Sequence, residues 1–292
     1  MSAQPEKDAV RDVIDATKEE SVITEKIRSL KRGGQKNIDA EYPLRTEHCT
    51  IRFGGLIAVN ELEMTVKRGE IYGLIGPNGA GKTTIFNLLT GVYRPTSGEI
   101  YFEGHRIDGL RSYEISRRGV SRTFQNIRLF PSMSVLENVM TACHRHACQN
   151  LLDAVMRSPR FVRDERDHRD FAVELLEIFD LARYKDEGGT SLPYGNQRRL
   201  EIVRALATRP SLLLLDEPAA GMNPSEQEDL MRLIQQIRNR FKLTILLVEH
   251  NMKVVMGVCE RIQVVDYGKS IALGVPDEIK NDPKVIEAYL GD

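Results

Sequence analysis

The run Gly76-Pro77-Asn78-Gly79-Ala80-Gly81-Lys82-Thr83 constrains this chain more than any other segment. It fits the pattern GxxxxGK[ST]. The segment Glu70–Ile75 before it reads as a strand, and Lys82–Leu89 after it reads as a helix. In that setting the glycines let successive backbone N–H groups turn inward around a compact anion. The positive end of the following helix dipole strengthens the same site. Lys82 supplies a point charge for β- and γ-phosphates, and the Thr83 hydroxyl a ligand for Mg2+. The segment is expected to hold the triphosphate of ATP.

A second segment supplies acid. Leu212-Leu213-Leu214-Leu215-Asp216-Glu217 is an apolar strand that ends in two carboxylates. Strand C-termini of an open parallel sheet form the ligand crevice. Asp216 is therefore expected to hold Mg2+, through water, and Glu217 to orient and deprotonate an attacking water. An ordinary strand followed by exposed acids is the bland alternative, and the phosphate loop argues against it.

Strands and helices alternate through the C-terminal half: Leu212–Asp216, Ser225–Asn239, Leu243–Val248, Met252–Val258 and Arg261–Asp266. This alternation implies an α/β fold, with a mostly parallel sheet covered by helices. Further upstream, Arg45–Phe53, Glu61–Val66 and Gly98–Phe102 read as strands, with Gly54-Gly55 as a break. Helices are expected at Ser134–Arg145, where Ser134 and Glu137 form a capping-box pattern, and at Gln197–Ala207. Phe171, Leu175, Ile178 and Phe179 recur at helical spacing and read as core. Residues 1–42 are charge-rich, with weak helical spacing at Val10, Val13, Ile14, Ile23, Ile27 and Leu30. They read as a partly helical or disordered extension, with a docking helix as the sharper alternative. No internal repeat is visible, so one chain carries one phosphate loop.

Bulk properties exclude several function classes. The 292 residues carry 41 basic and 42 acidic side chains, a net charge of −1, where a domain dedicated to nucleic acid shows a basic excess. No stretch approaches the roughly 18 apolar residues that cross a bilayer. Met1–Val10 has no apolar signal-peptide core. A cytosolic chain is expected, reaching a membrane through partners. Cys49, Cys143, Cys148 and Cys259 form no CxxC pair, so a disulfide framework is not expected. Cys143-His144-Arg145-His146-Ala147-Cys148 holds ligand types for a metal, but on a helix these side chains point to different faces. An ordinary helix surface is the reading taken.

The segment Leu192-Pro193-Tyr194-Gly195-Asn196-Gln197-Arg198-Arg199-Leu200-Glu201-Ile202 resembles the LSGGQ signature and following helix of ABC transporter ATP-binding subunits. It stands shortly before the acidic strand, as in that family, and the resemblance covers about residues 43–292. It implies a P-loop ABC ATPase domain over that span: a mostly parallel core sheet, an antiparallel β subdomain, and a helical signature subdomain at about 126–208. Gln125, in Arg122-Thr123-Phe124-Gln125-Asn126, looks like the Q-loop glutamine, which in the family senses Mg2+ and links the site to the membrane subunit. His250 looks like the switch histidine that contacts the γ-phosphate. Phe53 looks like the aromatic that stacks on adenine. The resemblance also implies nucleotide contacts from Val59 and Thr84, and cross-subunit contacts from Tyr194, Gly195 and Asn196.

Within the family, Phe53-Gly54-Gly55-Leu56, Thr123–Phe130, Glu217–Pro224 and Asp282–Gly291 resemble the LivG-type ATPase subunits of branched-chain amino acid importers. That resemblance implies a second ATPase subunit, two transmembrane permease subunits, a periplasmic substrate-binding protein, and a place on the cytoplasmic face of the plasma membrane. Another transported solute, or a soluble ATP-gated clamp, is the alternative. The chain departs from the family in two places. Pro193 replaces the signature serine, which removes a hydroxyl and an N–H, while Asn196 replaces the glutamine. Asn223 stands where the D-loop carries aspartate. The γ-phosphate contacts across the subunit interface are expected to rest on Gly195.

Overall fold

A computed structural model describes residues 35–143 and 158–290. In chain order, α1 (Gln35–Glu41) leads into the long strands β1 (Leu44–Phe53) and β2 (Leu56–Val66). Strand β3 (Ile71–Ile75) and helix α2 (Lys82–Leu89) flank the phosphate loop. Strands β4 (Ser97–Phe102) and β5 (His105–Arg106), helix α3 (Ser112–Arg117) and the short strand β6 (Val120–Arg122) follow. Next come α4 (Val135–Cys143), α5 (Pro159–Ile178) and α6 (Tyr194–Ala207). The remainder alternates: β7 (Leu212–Asp216), α7 (Pro224–Phe241), β8 (Thr244–Val248), α8 (Met252–Val258), β9 (Arg261–Asp266) and β10 (Lys269–Gly274), then α9 (Pro276–Asn281) and α10 (Pro283–Leu290).

Two sheets result. One is antiparallel, in the order β2-β1-β4-β5. The other runs β10-β9-β3-β8-β7-β6, with parallel pairings except for β10 on β9. Every residue of β3, β7 and β8 is buried, as expected where both faces of a sheet are covered. Successive side chains go to opposite faces. Ile71, Ile75, Leu213, Leu215, Ile245 and Leu247 pack toward α4 to α8. Tyr72, Leu74, Leu212, Leu214, Leu246 and Val248 pack toward α2 and the antiparallel sheet. The central sheet is thus the shared wall of two cores.

Local chemistry sets the helix ends. Ser134 and Glu137 form the expected reciprocal cap, with Ser134 N–H donating to Glu137 at 2.8 Å and Glu137 N–H to Ser134 Oγ at 3.2 Å. Helix α6 starts at Tyr194, three residues before the expected Gln197, because Pro193 can precede a helix and cannot continue one. Strand β2 begins at Leu56 instead of Glu61: Gly54, at φ 58, turns the chain tightly enough for Leu56 to pair with Phe53. Strand β10 was not expected; it pairs antiparallel with β9 through the turn Tyr267-Gly268. The Cys143–Cys148 cluster lies, beyond Cys143, outside the described residues. Cys143 itself is buried, which pushes its thiol up to about 11. Among the described residues no group of His, Cys, Asp and Glu is placed to hold a metal by itself, and no helix is long and apolar enough to cross a membrane. Of the charge-rich extension read at residues 1–42, residues 1–34 lie outside the described residues, while Gln35–Glu41 form α1, with Ile38 buried.

Candidate functional site

Strand register brings the predicted segments to one sheet edge. Leu74 pairs with Val248, and Asp216 pairs with Val248 from the other side. The phosphate loop, the Asp216-Glu217 pair and the Glu249-His250 turn therefore leave the sheet together at strand C-termini.

The phosphate loop is held from below. Gly81 precedes α2 with φ 100, and a Cβ there would meet Ala58 O at 2.6 Å. Gly76 packs directly on Val265 O. Ala80 O accepts from Gly268 N–H at 2.9 Å, and Gly268 O in turn accepts from Asn60 N–H at 2.8 Å. Pro77 is half-buried, while Asn78 and Gly79 face solvent. Lys82 is buried and folds over the loop, donating to Gly76 O at 2.7 Å and Pro77 O at 2.8 Å. Burial lowers its pKa, and the nearby Glu217 and Asp216 carboxylates partly restore it. Thr83 and Thr84 lie in the first turn of α2, Thr83 exposed and Thr84 half-buried.

The acidic pair faces this loop. Asp216 is buried and ion-paired with Arg122, Nη2 to Oδ2, at 2.8 Å. Glu217 sits at φ 47, a left-handed backbone unusual for a residue with a side chain. Such a conformation costs on the order of 1–3 kcal/mol and persists where surrounding bonds enforce it. Glu217 Oε2 receives two predicted partners: the Gln125 amide donates to it at 2.9 Å, and His250 Nδ1 lies 3.7 Å away. Three segments far apart in sequence meet on one carboxylate oxygen.

Other predicted residues are distributed differently. Phe53 is exposed at the end of β1 and meets Tyr93 edge to face, with ring centroids 5.2 Å apart. Val59 is fully buried in the core below the loop. Its side chain is not among those presented at the surface, because β2 alternation turns it inward. Tyr194, Gly195 and Asn196 form the first turn of α6. There Asn196 N–H donates to Pro193 O at 2.9 Å, and helix geometry provides no acceptor for the earlier amides. Tyr194 is exposed and its ring stacks close to Gly221. Asn223 caps α7: its side chain accepts from Glu226 N–H at 3.0 Å and its N–H donates back to Glu226 at 2.9 Å.

Four residues escaped sequence reasoning. Glu249 is fully buried. Its carboxylate accepts from Ala219 N–H at 2.7 Å and His250 N–H at 3.2 Å, tying the turn after Glu217 to the histidine. Burial raises its pKa, and these backbone bonds pull it back. Arg198 is buried and the Arg122 side chain is only 8% exposed, both lying between the same segments. The phenol of Tyr289, in α10, is raised by burial, an effect that the nearby Gly76 backbone amide partly offsets. Arg122, Arg198 and Tyr289 stand inside the motif segments without a role of their own there, and the Glu249-His250 pair pointed only to the histidine.

The ABC transporter family profile matches residues 59–220, more than half of the chain, and spans the phosphate loop, the Q-loop segment, the signature and the acidic strand. This chain belongs to the ABC transporter family. A second profile, described as branched-chain amino acid ATP-binding cassette transporter, matches residues 269–292 of the cassette. The cassette is 47% identical to the high-affinity branched-chain amino acid transport ATP-binding protein BraF of Pseudomonas aeruginosa, over 85% of this chain and 98% of that protein. It is 48% identical to the LivG protein of Escherichia coli K12, likewise described as a high-affinity branched-chain amino acid transport ATP-binding protein, over 83% of this chain and 95% of the relative. Among solved structures, the ADP conformation of MJ1267, an ATP-binding cassette of an ABC transporter, aligns with TM-score 0.75 at 30% identity, covering 86% of this chain and 99% of that one. The cassette is an ATP-binding ATPase of this family, and its two-sheet α/β architecture is that of the P-loop ABC ATPases.

Proposed function

We propose that the cassette hydrolyses Mg2+-bound ATP at the edge formed by β3, β7 and β8, with Glu217 activating the attacking water. The carrying observation is the meeting of Gln125 and His250 on Glu217 Oε2, beside a phosphate loop whose lysine already senses both acids. Gly76 to Thr84 cradle the triphosphate, and Lys82 exchanges its two loop carbonyls for phosphate oxygens. Phe53 stacks on adenine. The donors Thr83, Asp216 and Gln125 are all oxygen ligands, which suits a hard dication. Mg2+, when bound, neutralises charge on the phosphates. Glu217 takes a proton from water as its oxygen bonds the γ-phosphorus. The bond to the β-phosphate oxygen breaks and ADP leaves, with His250 placed to touch the transferred phosphoryl group. Positioning and charge supply most of the catalysis.

The site is half of a composite one. The turn Tyr194-Gly195-Asn196, with Tyr194 exposed and Gly195 and Asn196 half-buried, is offered to the ATP of a second ATPase subunit. Pro193 leaves Gly195 N–H as the principal donor there. Closure is passed to two transmembrane permease subunits near the Q-loop. An open cleft of about 330 Å³, lined by Val92, Ser112, Phe124, Arg128 and Arg204, supports that docking. The BraF and LivG relatives, with the match at residues 269–292, support import of branched-chain amino acids with a periplasmic binding protein. The cassette then sits at the cytoplasmic face of the membrane, held by its permeases.

The test is Glu217→Gln, which should bind ATP with unchanged affinity and lose turnover; hydrolysis at the normal rate would overturn the assignment. Lys82→Ala should weaken ATP binding itself. Co-purification from detergent-solubilised membranes, with the permeases and binding protein identified, tests the partners and the solute.

A further inference from the structure

Arg198 is among the largest fully buried side chains of the described residues, with 1% of it exposed. It stands in the first turns of α6, directly after the segment offered to a second subunit. Its Nη1 donates to Phe124 O at 2.6 Å and to Glu201 Oε2 at 2.9 Å, and its Nη2 donates to Glu217 O at 2.9 Å. Glu201 completes the arrangement, its other oxygen accepting from Phe124 N–H at 3.2 Å. Both polar groups of Phe124, the residue before Gln125, thus end on one turn of α6. The carbonyl of Glu217 ends there too.

The Glu217 backbone is the part that needs holding. Its left-handed φ of 47 is enforced by three bonds: Glu217 N–H to Val248 O at 2.8 Å, Ala220 N–H to Glu217 O at 3.2 Å, and Arg198 to Glu217 O. The first two lie between β7, β8 and the turn. The third comes from the signature helix.

We infer that the Arg198–Glu201 pair is a positioning unit for hydrolysis, fixing Glu217 and Gln125 relative to each other and making both depend on where α6 sits. The inference rests on Glu217 as the group that activates water. A buried ion pair is a poor source of net stability, because desolvation cancels much of its attraction. A single turn that bridges Phe124 N–H, Phe124 O and Glu217 O does supply geometry. Arg198 is suited to this because a planar guanidinium directs several donors at once, where a lysine offers one point charge. Any rotation of α6 when its first turn engages a second subunit is thereby passed to the Glu217 peptide.

The experiment uses the full-length chain and three variants: Arg198→Lys, the paired replacement Arg198→Met with Glu201→Leu, and the latter combined with Glu217→Gln. The apolar pair removes both charges together, so neither is left buried alone. Expected for the first two is a kcat lowered on the order of 10- to 100-fold, the scale of a misplacement near 1 Å, with ATP Kd unchanged in a chain that is still folded at the assay temperature. In the Glu217→Gln background the paired replacement should cause no further loss, since residues acting as a unit are non-additive. Wild-type kcat in either Arg198 variant, or a full additive loss in the Glu217→Gln background, would overturn the inference. If the paired variant fails to fold, Arg198→Lys decides alone. Normal turnover in Glu217→Gln by itself removes the reading of Glu217. Normal turnover in the Arg198 variants beside an inactive Glu217→Gln removes only the positioning unit.

Discussion

The Arg122 guanidinium pairs with the Asp216 carboxylate at 2.8 Å, with only 8% and 5% of the two side chains exposed. Arg122 also donates to Asn87 Oδ1 in α2 at 2.7 Å and lies over the rings of Phe86 and Phe124. One side chain thus joins the edge strand β6, the phosphate-loop helix and the acidic strand. Thr123 adds to the joint: its N–H donates to Leu214 O at 3.0 Å, and its hydroxyl accepts from Asp216 N–H at 3.2 Å.

Removing one partner of such a pair leaves the other charge buried without compensation. Arg122→Ala is expected to cost about 3–5 kcal/mol of stability. The urea unfolding midpoint should fall, and Arg122→Lys should recover part of it. An unchanged midpoint in Arg122→Ala would show that the pair contributes no stability.

Two glycines of the phosphate loop separate backbone strain from crowding. Gly79 has φ 84 with open space where a Cβ would stand, whereas Gly81 has φ 100 with Ala58 O in the way. Gly79→Ala should cost about 1 kcal/mol, through the left-handed backbone alone. Gly81→Ala should cost more and also weaken ATP binding, because either the loop or β2 must shift. Titration calorimetry with ATP, together with Tm, checks both; equal effects of the two substitutions would contradict the steric argument.

Asn223 serves α7 as its cap. Asn223→Ala should lower stability by about 1 kcal/mol. Asn223→Asp should be neutral or better, since a carboxylate at a helix N-terminus also meets the dipole. A pair of thermal melts decides this.

Burial raises the pKa of Glu249 above 4.5 in the folded chain. Over the interval between 4.5 and its folded value, the folded chain therefore holds more of this proton than the unfolded chain does. Its contribution to stability is fully present below the unfolded pKa and is lost as pH rises through the folded pKa. Glu249→Gln removes that titration. The variant's Tm should fall less steeply than that of the unaltered chain as pH rises from 4.5 toward neutrality, and a steeper fall would reverse the assignment.

The sequence by itself determined the segments whose chemistry is contiguous. The loop Gly76–Thr83, the strand Leu212–Asp216 and the helix Met252–Val258 were legible because each needs only neighbouring residues: glycines for curvature, an apolar run for a sheet covered on both faces, a helical period. The order of these segments was enough to indicate an α/β sheet with its ligand edge at the strand ends. Tertiary structure decided which side chains hold that edge together. Arg122 and Asp216 are 94 positions apart, Arg198 and Phe124 74, and Glu249 and Ala219 30. Such partners are chosen by strand register and helix docking, which no local pattern encodes. The same physics kept β6 and β10 out of view. Val120–Arg122 is too short to carry a period, and it is a strand because β7 lies beside it. Lys269–Gly274 becomes one by pairing back on β9. Glu217 shows both contributions. Its place after an apolar strand announced an acid, and only the folded chain gave it a left-handed backbone with Gln125, His250 and Arg198 around it.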